Sequence, residues 1–244
     1  MRFDGASVFV TGGTRGIGKA IALRFAELGA KRIALGYLRN DSAAEAAAEE
    51  VKAAGAEPVL VRGNVSSERV AEQVAALGPL AALVHNAATG VIRPALEAEK
   101  KHWDWTLDAN AWALVALAKA AVPQMPAGSS IVAISSLGST HVLENYSLVA
   151  TSKAALESLV RYLAVELAPR GIRVNAVSAG VVDTEALEHF PNRDEMLAHG
   201  ARTPAGRLVE PQDVAEAVGW LCSPGAEMVR GHTLIVDGGF SLPA

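Results

Sequence analysis

Seven short apolar runs punctuate the chain, and a stretch of helical periodicity lies between most successive pairs. The runs are ASVFVT (6–11), RIALGY (32–37), PVLVRG (58–63), AALVHNA (81–87), SIVAISS (130–136), IRVNAVS (172–178) and HTLIVDG (232–238). They are nearly continuous rather than alternating, which is the pattern of strands covered on both faces. Strands of that kind pair in parallel, and parallel pairs need a crossover helix. Segments 18–28, 42–54, 67–77, 103–124, 153–168 and 211–222 read as those helices. In the first, Ile21, Phe25 and Leu28 fall on one stripe, and Gly29 follows as the stop. The expectation is one doubly wound, Rossmann-type α/β domain over residues 1–244, a parallel sheet with helices on both faces. A chain of 244 residues, 50% of them apolar, is long enough to bury one large core.

Composition narrows the function classes. No run approaches the ~18–20 apolar residues of a membrane span. The start, MRFDGASVFVTGG, lacks the basic end and long apolar region of a signal peptide. The single cysteine, Cys222, cannot form an internal disulfide and reads as a buried thiol, which suits a reducing cytoplasm. A formal charge of −4 without a basic block argues against nucleic acid as a partner. The six histidines show no metal-ligand spacing, so no metal is expected. The connection 179–210, which contains HFPNRDEM, is long and irregular, as lids often are.

The first strand runs into TGGTRGIG (11–18) and then a helix. Gly12, Gly16 and Gly18 let the backbone turn tightly and approach a pyrophosphate, and the helix start offers free N–H groups and a positive dipole end. At the end of the second strand an acidic residue would bind a ribose 2′-hydroxyl. Here the text is GYLRND: the strand ends at Tyr37, and Arg39 precedes the first carboxylate, Asp41. Arg39, with Arg15 from the glycine loop, suits a 2′-phosphate, so the reading is NADP(H). A solvated loop charge is the competing role for Arg39.

Further motifs are HNAA (85–88), Asn110 in the central helix, ISS (134–136), Tyr146 and Lys153, RVNAVSAG (173–180), Thr184 and VDGG (236–239). With the glycine loop, they resemble the short-chain dehydrogenase/reductase family over nearly the whole chain. Most members place a tyrosine four residues before the lysine, where this chain has Val149. Enoyl-acyl-carrier-protein reductases of the superfamily put six residues between the pair, and Tyr146-x6-Lys153 fits them. RPALEAEKKHWDWT, ISSLGSTHVLENY, DTEALEHFPNRDEM and TPAGRLVE are similar to the FabL-type (type III) branch. Milder departures are Asn64 in place of a common aspartate, Ala88 for a glycine and Ala179 for a proline.

The resemblance implies a homotetramer that reduces a trans-2-enoyl thioester on acyl carrier protein with NADPH. It implies cofactor contacts at Gly12, Thr14, Arg15, Gly16, Ile17, Gly18, Tyr37, Arg39, Asn64, Val65, Asn86, Lys153 and Thr184. Tyr146 is the expected donor to the enolate oxygen, and Lys153 is expected to hold the nicotinamide ribose. Ser136, which contacts the substrate carbonyl in ordinary members, either keeps a weaker support role here or is a plain strand-end hydroxyl, and Asn110 either braces the central helix and holds water near Lys153 or is a bare structural amide. The spacing has a physical rationale. Positions four and seven before Lys153 share a helix face but differ by ~4–5 Å along the axis. The oxyanion of an enoyl thioester likewise forms two carbons away from the carbon reduced. Two rivals stay open: a ketone or 3-oxoacyl reductase, and a silent NADP-binding protein. Trp103 and Trp105 read as residues that pack against neighbouring helices, with contact to substrate as the alternative. Leu187, Phe190 and Met196 fit either an acyl lid or ordinary packing. Arg193, Arg202 and Arg207 fit either an acidic carrier or isolated surface charges.

Overall fold

All seven runs become parallel strands of one sheet: β1 (Ser7–Val10), β2 (Arg32–Tyr37), β3 (Glu57–Arg62), β4 (Ala82–His85), β5 (Ser130–Ser136), β6 (Arg173–Ala179) and β7 (Thr233–Val236). Their order is β3-β2-β1-β4-β5-β6-β7. The computed structural model describes residues 3–189, 193–200 and 202–242. The helices are α1 (Gly16–Glu27), α2 (Asp41–Ala53), α3 (Glu68–Ala75), α4 (Lys100–Leu107), α5 (Ala113–Ala121), α6 (Ser147–Glu166), α7 (Arg193–Gly200) and α8 (Pro211–Cys222).

The continuous apolar pattern of the strands is explained by two cores. Val8 and Val10 of β1 face one way, into a core shared with Ile21 and Phe25 of α1, Val51 of α2 and Val218 of α8. Phe9, between them, faces the other, into a core with Val74 of α3, Leu117 of α5 and Leu156 of α6. Each such fully buried side chain contributes about 1.5–3 kcal/mol. Gly29, in the left-handed region at φ 94°, ends α1 as its position indicates.

Two helices differ from the sequence pattern. α6 starts at Ser147 rather than at Lys153, because Leu148 and Val149 are buried and draw the first turn into the fold. Tyr146 is its N-cap. The central helix starts at Lys100 and is interrupted by a π turn over Asp108–Trp112 before α5. Its first turn is closed by a reciprocal cap between Glu99 and His102, an uncommon pair that hides the start in the sequence.

Segment 179–210 carries a 3-10 turn over Glu185–His189, α7 and an isolated bridge between Val182 and Val209. Phe190, which fits either an acyl lid or ordinary packing, lies outside the described residues. Among the described residues, no helix is long and apolar enough to cross a membrane, and no cluster of His, Cys, Asp or Glu is arranged to hold a metal.

Candidate active site

The chain winds outward from β1 to β3, then returns to place β4 on the other side of β1. Ligands of open α/β sheets bind at such a switch point, beyond the carboxyl ends of the strands. A cleft of about 1240 Å³ opens there. It is lined at one end by Gly12, Thr14, Arg15, Gly16, Ile17, Tyr37, Arg39, Asn64, Val65, Asn86 and Thr184, and at the other by Ser136, Tyr146 and Lys153. Two residues expected at the site, Gly18 and Asn110, do not line it.

At the glycine end the backbone does the shaping. Gly12 and Gly16 have φ of 61° and 50°, which only glycine adopts readily. Gly18 acts beneath the loop, since a Cβ there would overlap the carbonyl oxygen of Gly12. Asn86 fixes the loop from the next strand: its Nδ2 donates to the carbonyls of Thr11 (3.0 Å) and Gly12 (3.2 Å).

His85 is buried beneath the cleft, and its spacing from the other histidines gives no sign of its role. Thr11 Oγ1 accepts the N–H groups of Asn86 and Ala87 (3.0 and 2.9 Å), so its own proton points to His85 Nδ1 at 3.4 Å. That assigns the remaining proton to Nε2, which donates to the Asn110 carbonyl at 3.2 Å within the π turn. Burial, reinforced by the charge of Lys153, pushes the imidazole down to about 4, so it is neutral at physiological pH. The signal for it was present in HNAA, where the family pattern has an asparagine.

The side chain of Asn110 is buried within the π turn and braces its surroundings. Its side chain accepts from Thr89 N–H and donates to Thr89 C=O, both at 2.8 Å, and to Ser152 Oγ at 2.9 Å. It thereby ties the loop after β4 to α6.

At the corner beyond β2, Arg15 Nη1 pairs with Glu185 at 2.5 Å on the exposed rim. The nearest carboxylate in sequence, Asp41, is engaged by Arg62 at 3.3 Å and by the Tyr37 phenol. Among the described residues, Arg39 makes no ion pair.

At the β5–α6 end, the Tyr146 phenol is hydrogen-bonded to Ser136. Burial raises its pKa and the bond to Ser136 lowers it, with a net upward shift, so the phenol stays protonated and is a donor. Lys153 is buried, and its Nζ donates to the Ile134 carbonyl at 2.7 Å. Burial pulls this ammonium down to about 8, opposed by Glu157 one helical turn on. Glu157, also buried, accepts from Ser135 Oγ at 2.5 Å. Val149 is buried and does not line the cleft. Trp103 and Trp105 are only partly packed, and the Trp105 ring lies edge-on to His102 at 5.7 Å. They are 41% and 57% exposed, and Trp105 lines the cleft, because α4 buries its other face through His102 and Thr106.

The family model described as enoyl-(acyl carrier protein) reductase matches residues 12–241. The 1-cyclohexenylcarbonyl-CoA reductase of Streptomyces collinus is 37% identical over 246 residues, covering 96% of this chain and 86% of the relative. The 3-oxoacyl-[acyl-carrier-protein] reductase FabG of Pseudomonas aeruginosa is 36% identical over 258 residues, covering 98% of both. A crystal structure of a short-chain dehydrogenase from Burkholderia cenocepacia in complex with NADP superposes with a TM-score of 0.89 at 31% identity, covering 98% of this chain and 99% of that one. With such relatives aligned over almost its full length, this chain belongs to the short-chain dehydrogenase/reductase superfamily.

Proposed function

We propose that the protein is an NADPH-dependent enoyl thioester reductase of fatty acid synthesis, saturating a trans-2-enoyl group on acyl carrier protein. The observation that carries the reading is which side chain brings a phenol to the cleft. It is Tyr146, seven residues before Lys153, while Val149 is turned into the packing. The description of the matching family model and the name of the Streptomyces collinus relative support the same class.

The cleft fits a dinucleotide. Gly12 and Gly16 line the cleft in left-handed conformations, a Cβ at Gly12 would crowd Asn86 and Ala87, and the start of α1 presents unpaired N–H groups to a pyrophosphate. Arg39 serves a 2′-phosphate, with Arg15 available when released from Glu185. Tyr37, Asn64 and Val65 flank the adenine, and Asn86, Lys153 and Thr184 the nicotinamide half. The NADP of the Burkholderia cenocepacia neighbour supports this choice of cofactor. Bound there in its reduced form, the cofactor supplies a hydride.

The residues of the chain handle the charge that results. It collects on the thioester oxygen, and the protonated phenol of Tyr146 donates a hydrogen bond to it, a donor already in place before the charge forms; uptake of a proton from water at the α-carbon then completes the saturated acyl group. Ser136 steers the phenol. The Lys153 cation lowers the energy of the oxyanion from within the buried site. The 179–210 segment, which brings Leu187 and Met196 to the cleft, covers the acyl chain. The resemblance adds a homotetrameric assembly.

A second reading, reduction of a 3-oxoacyl thioester, is favoured by the FabG relative and by the Ser136–Tyr146 contact, which also suits a carbonyl. Purified protein with NADPH and either crotonyl or acetoacetyl thioester, each on coenzyme A and on acyl carrier protein, separates the two. Nicotinamide absorbance lost with crotonyl alone is expected. Loss with acetoacetyl alone replaces this reading with the second. Binding of NADPH without turnover of either leaves a cofactor-binding protein.

A further inference from the structure

Two glycines beside the site have backbone conformations open to any residue, so their missing side chains need another explanation. Neither Gly90 nor Gly138 has a positive φ. At Gly138, a Cβ would lie 2.6 Å from both Cδ1 and Cε1 of the Tyr146 ring. At Gly90, a Cβ would overlap Cγ2 of Val149. Each glycine therefore makes room for one of the two helix positions from which a phenol can approach Lys153.

The two are linked through a turn. Asn145 is the one non-glycine residue with positive φ among the described residues, at 58°. Its conformation brings the chain into the N-cap of α6, so that Tyr146 meets Gly138. The Asn145 carbonyl accepts the N–H of Arg93 at 2.8 Å. The loop that carries Gly90 thus also holds the turn that presents Tyr146. A left-handed residue with a side chain is a strained choice, of the kind found where a site fixes a geometry.

We propose that Gly138 and Gly90 determine which position presents the acid: Gly138 admits the Tyr146 ring, and the backbone at Gly90 closes over Val149, with Asn145 as the hinge between them. These are positioning residues, acting through Tyr146. They select an oxyanion distant from the reduced carbon over one on that same carbon, and the inference rests on Tyr146 being the donor.

The test is a double-mutant cycle. Gly138→Ala is expected to lower kcat at least about 20-fold while leaving the Kd for NADPH within about twofold. In a Tyr146→Phe background the same alanine is expected to change kcat less than about twofold, because the hydroxyl it misplaces is gone. An equal loss in both backgrounds, or no loss in either, overturns the proposal. Asn145→Ala is expected to lose more kcat than Asn145→Gly, since glycine tolerates the turn; the reverse order counts against the hinge. A stability cycle reads the steric claim without turnover. Gly138→Ala is expected to lower Tm in the protein with Tyr146 and not in Tyr146→Ala, where the ring is absent. Equal lowering in both assigns Gly138 a role unrelated to the ring. Kinetics are read on whichever thioester is reduced. Turnover of acetoacetyl alone sinks the enoyl reading while the cycle still tests Gly138.

Discussion

At the β1–α1 end of the cleft the backbone is the working part; at the β5–α6 end side chains are. The first end offers N–H groups and close approach, and its glycines are required by φ or by loop-to-helix contact. The second offers a phenol, a hydroxyl and an ammonium, and its glycine at 138 is required by what lies against it. Glycine therefore has two meanings within one site. Substitution in the first end should damage ligand binding and folding, whereas substitution in the second should damage chemistry.

The sharpest break between the ends is Tyr146→Phe. Removing one preorganised oxyanion donor costs about 10²–10³ in kcat, and NADPH affinity by fluorescence titration is expected to stay unchanged. Near-normal turnover would end the assignment of Tyr146.

Gly18→Ala tests the opposite end. Its methyl group would overlap the Gly12 carbonyl, so the loop and α1 must part. Overpacking of this kind costs about 1–3 kcal/mol. A lower Tm and at least tenfold weaker NADPH binding are expected together. A stable variant with normal affinity would show that the loop adapts.

The pH profile separates the ends by charge. The folded Lys153 sits at about 8, below its ordinary 10.5, mainly through burial. In the proposed reaction the ammonium stabilises the oxyanion, so kcat/KM is expected to fall up to tenfold per unit as pH rises above about 8. His85, neutral above its value of about 4, leaves this limb to the lysine. The stability sign is opposite. Between about 8 and 10.5 the unfolded chain binds the extra proton, so stability rises with pH across that window. Lys153→Met is therefore expected to abolish activity yet raise Tm at pH 7, by a margin that shrinks toward pH 10. A basic limb unchanged in position in Glu157→Gln would refute the role of that carboxylate in holding the lysine charged.

The contrast between the ends also explains what the sequence made legible. All seven strands were visible because burial on both faces leaves continuous apolar runs, and the glycine loop was visible because φ and close approach demand glycine at fixed spacing. That Tyr146 and Lys153 line one cleft was readable from their separation; the path of the ring past Gly138 was not. That depends on Asn145 and Gly138, and a positive φ in an asparagine or a ring-facing glycine has no periodicity to betray it. Asn110 shows the same limit: it ties Thr89 to Ser152 from within a π turn that no sequence pattern announces. His85 needed the hydrogen-bond count at Thr11 Oγ1 to acquire a role.

The smallest expected effect concerns the rim of the cofactor end. Arg15 is held by Glu185 in an ion pair in which both side chains are 61% exposed, and such pairs are worth about 0–1 kcal/mol. Glu185→Gln releases Arg15 toward the phosphate corner, so NADPH is expected to bind up to about fivefold more tightly at low salt, with the gain lost at high salt. Arg39→Ala provides the scale, because losing a hydrogen bond to a charged group costs about 1.5–3 kcal/mol, or at least tenfold in affinity. The loss is expected for NADPH and not for NADH. If Arg39→Ala weakens both cofactors alike, the corner beyond β2 does not read the 2′-phosphate. If Glu185→Gln weakens NADPH, the ion pair orders the rim instead of restraining Arg15.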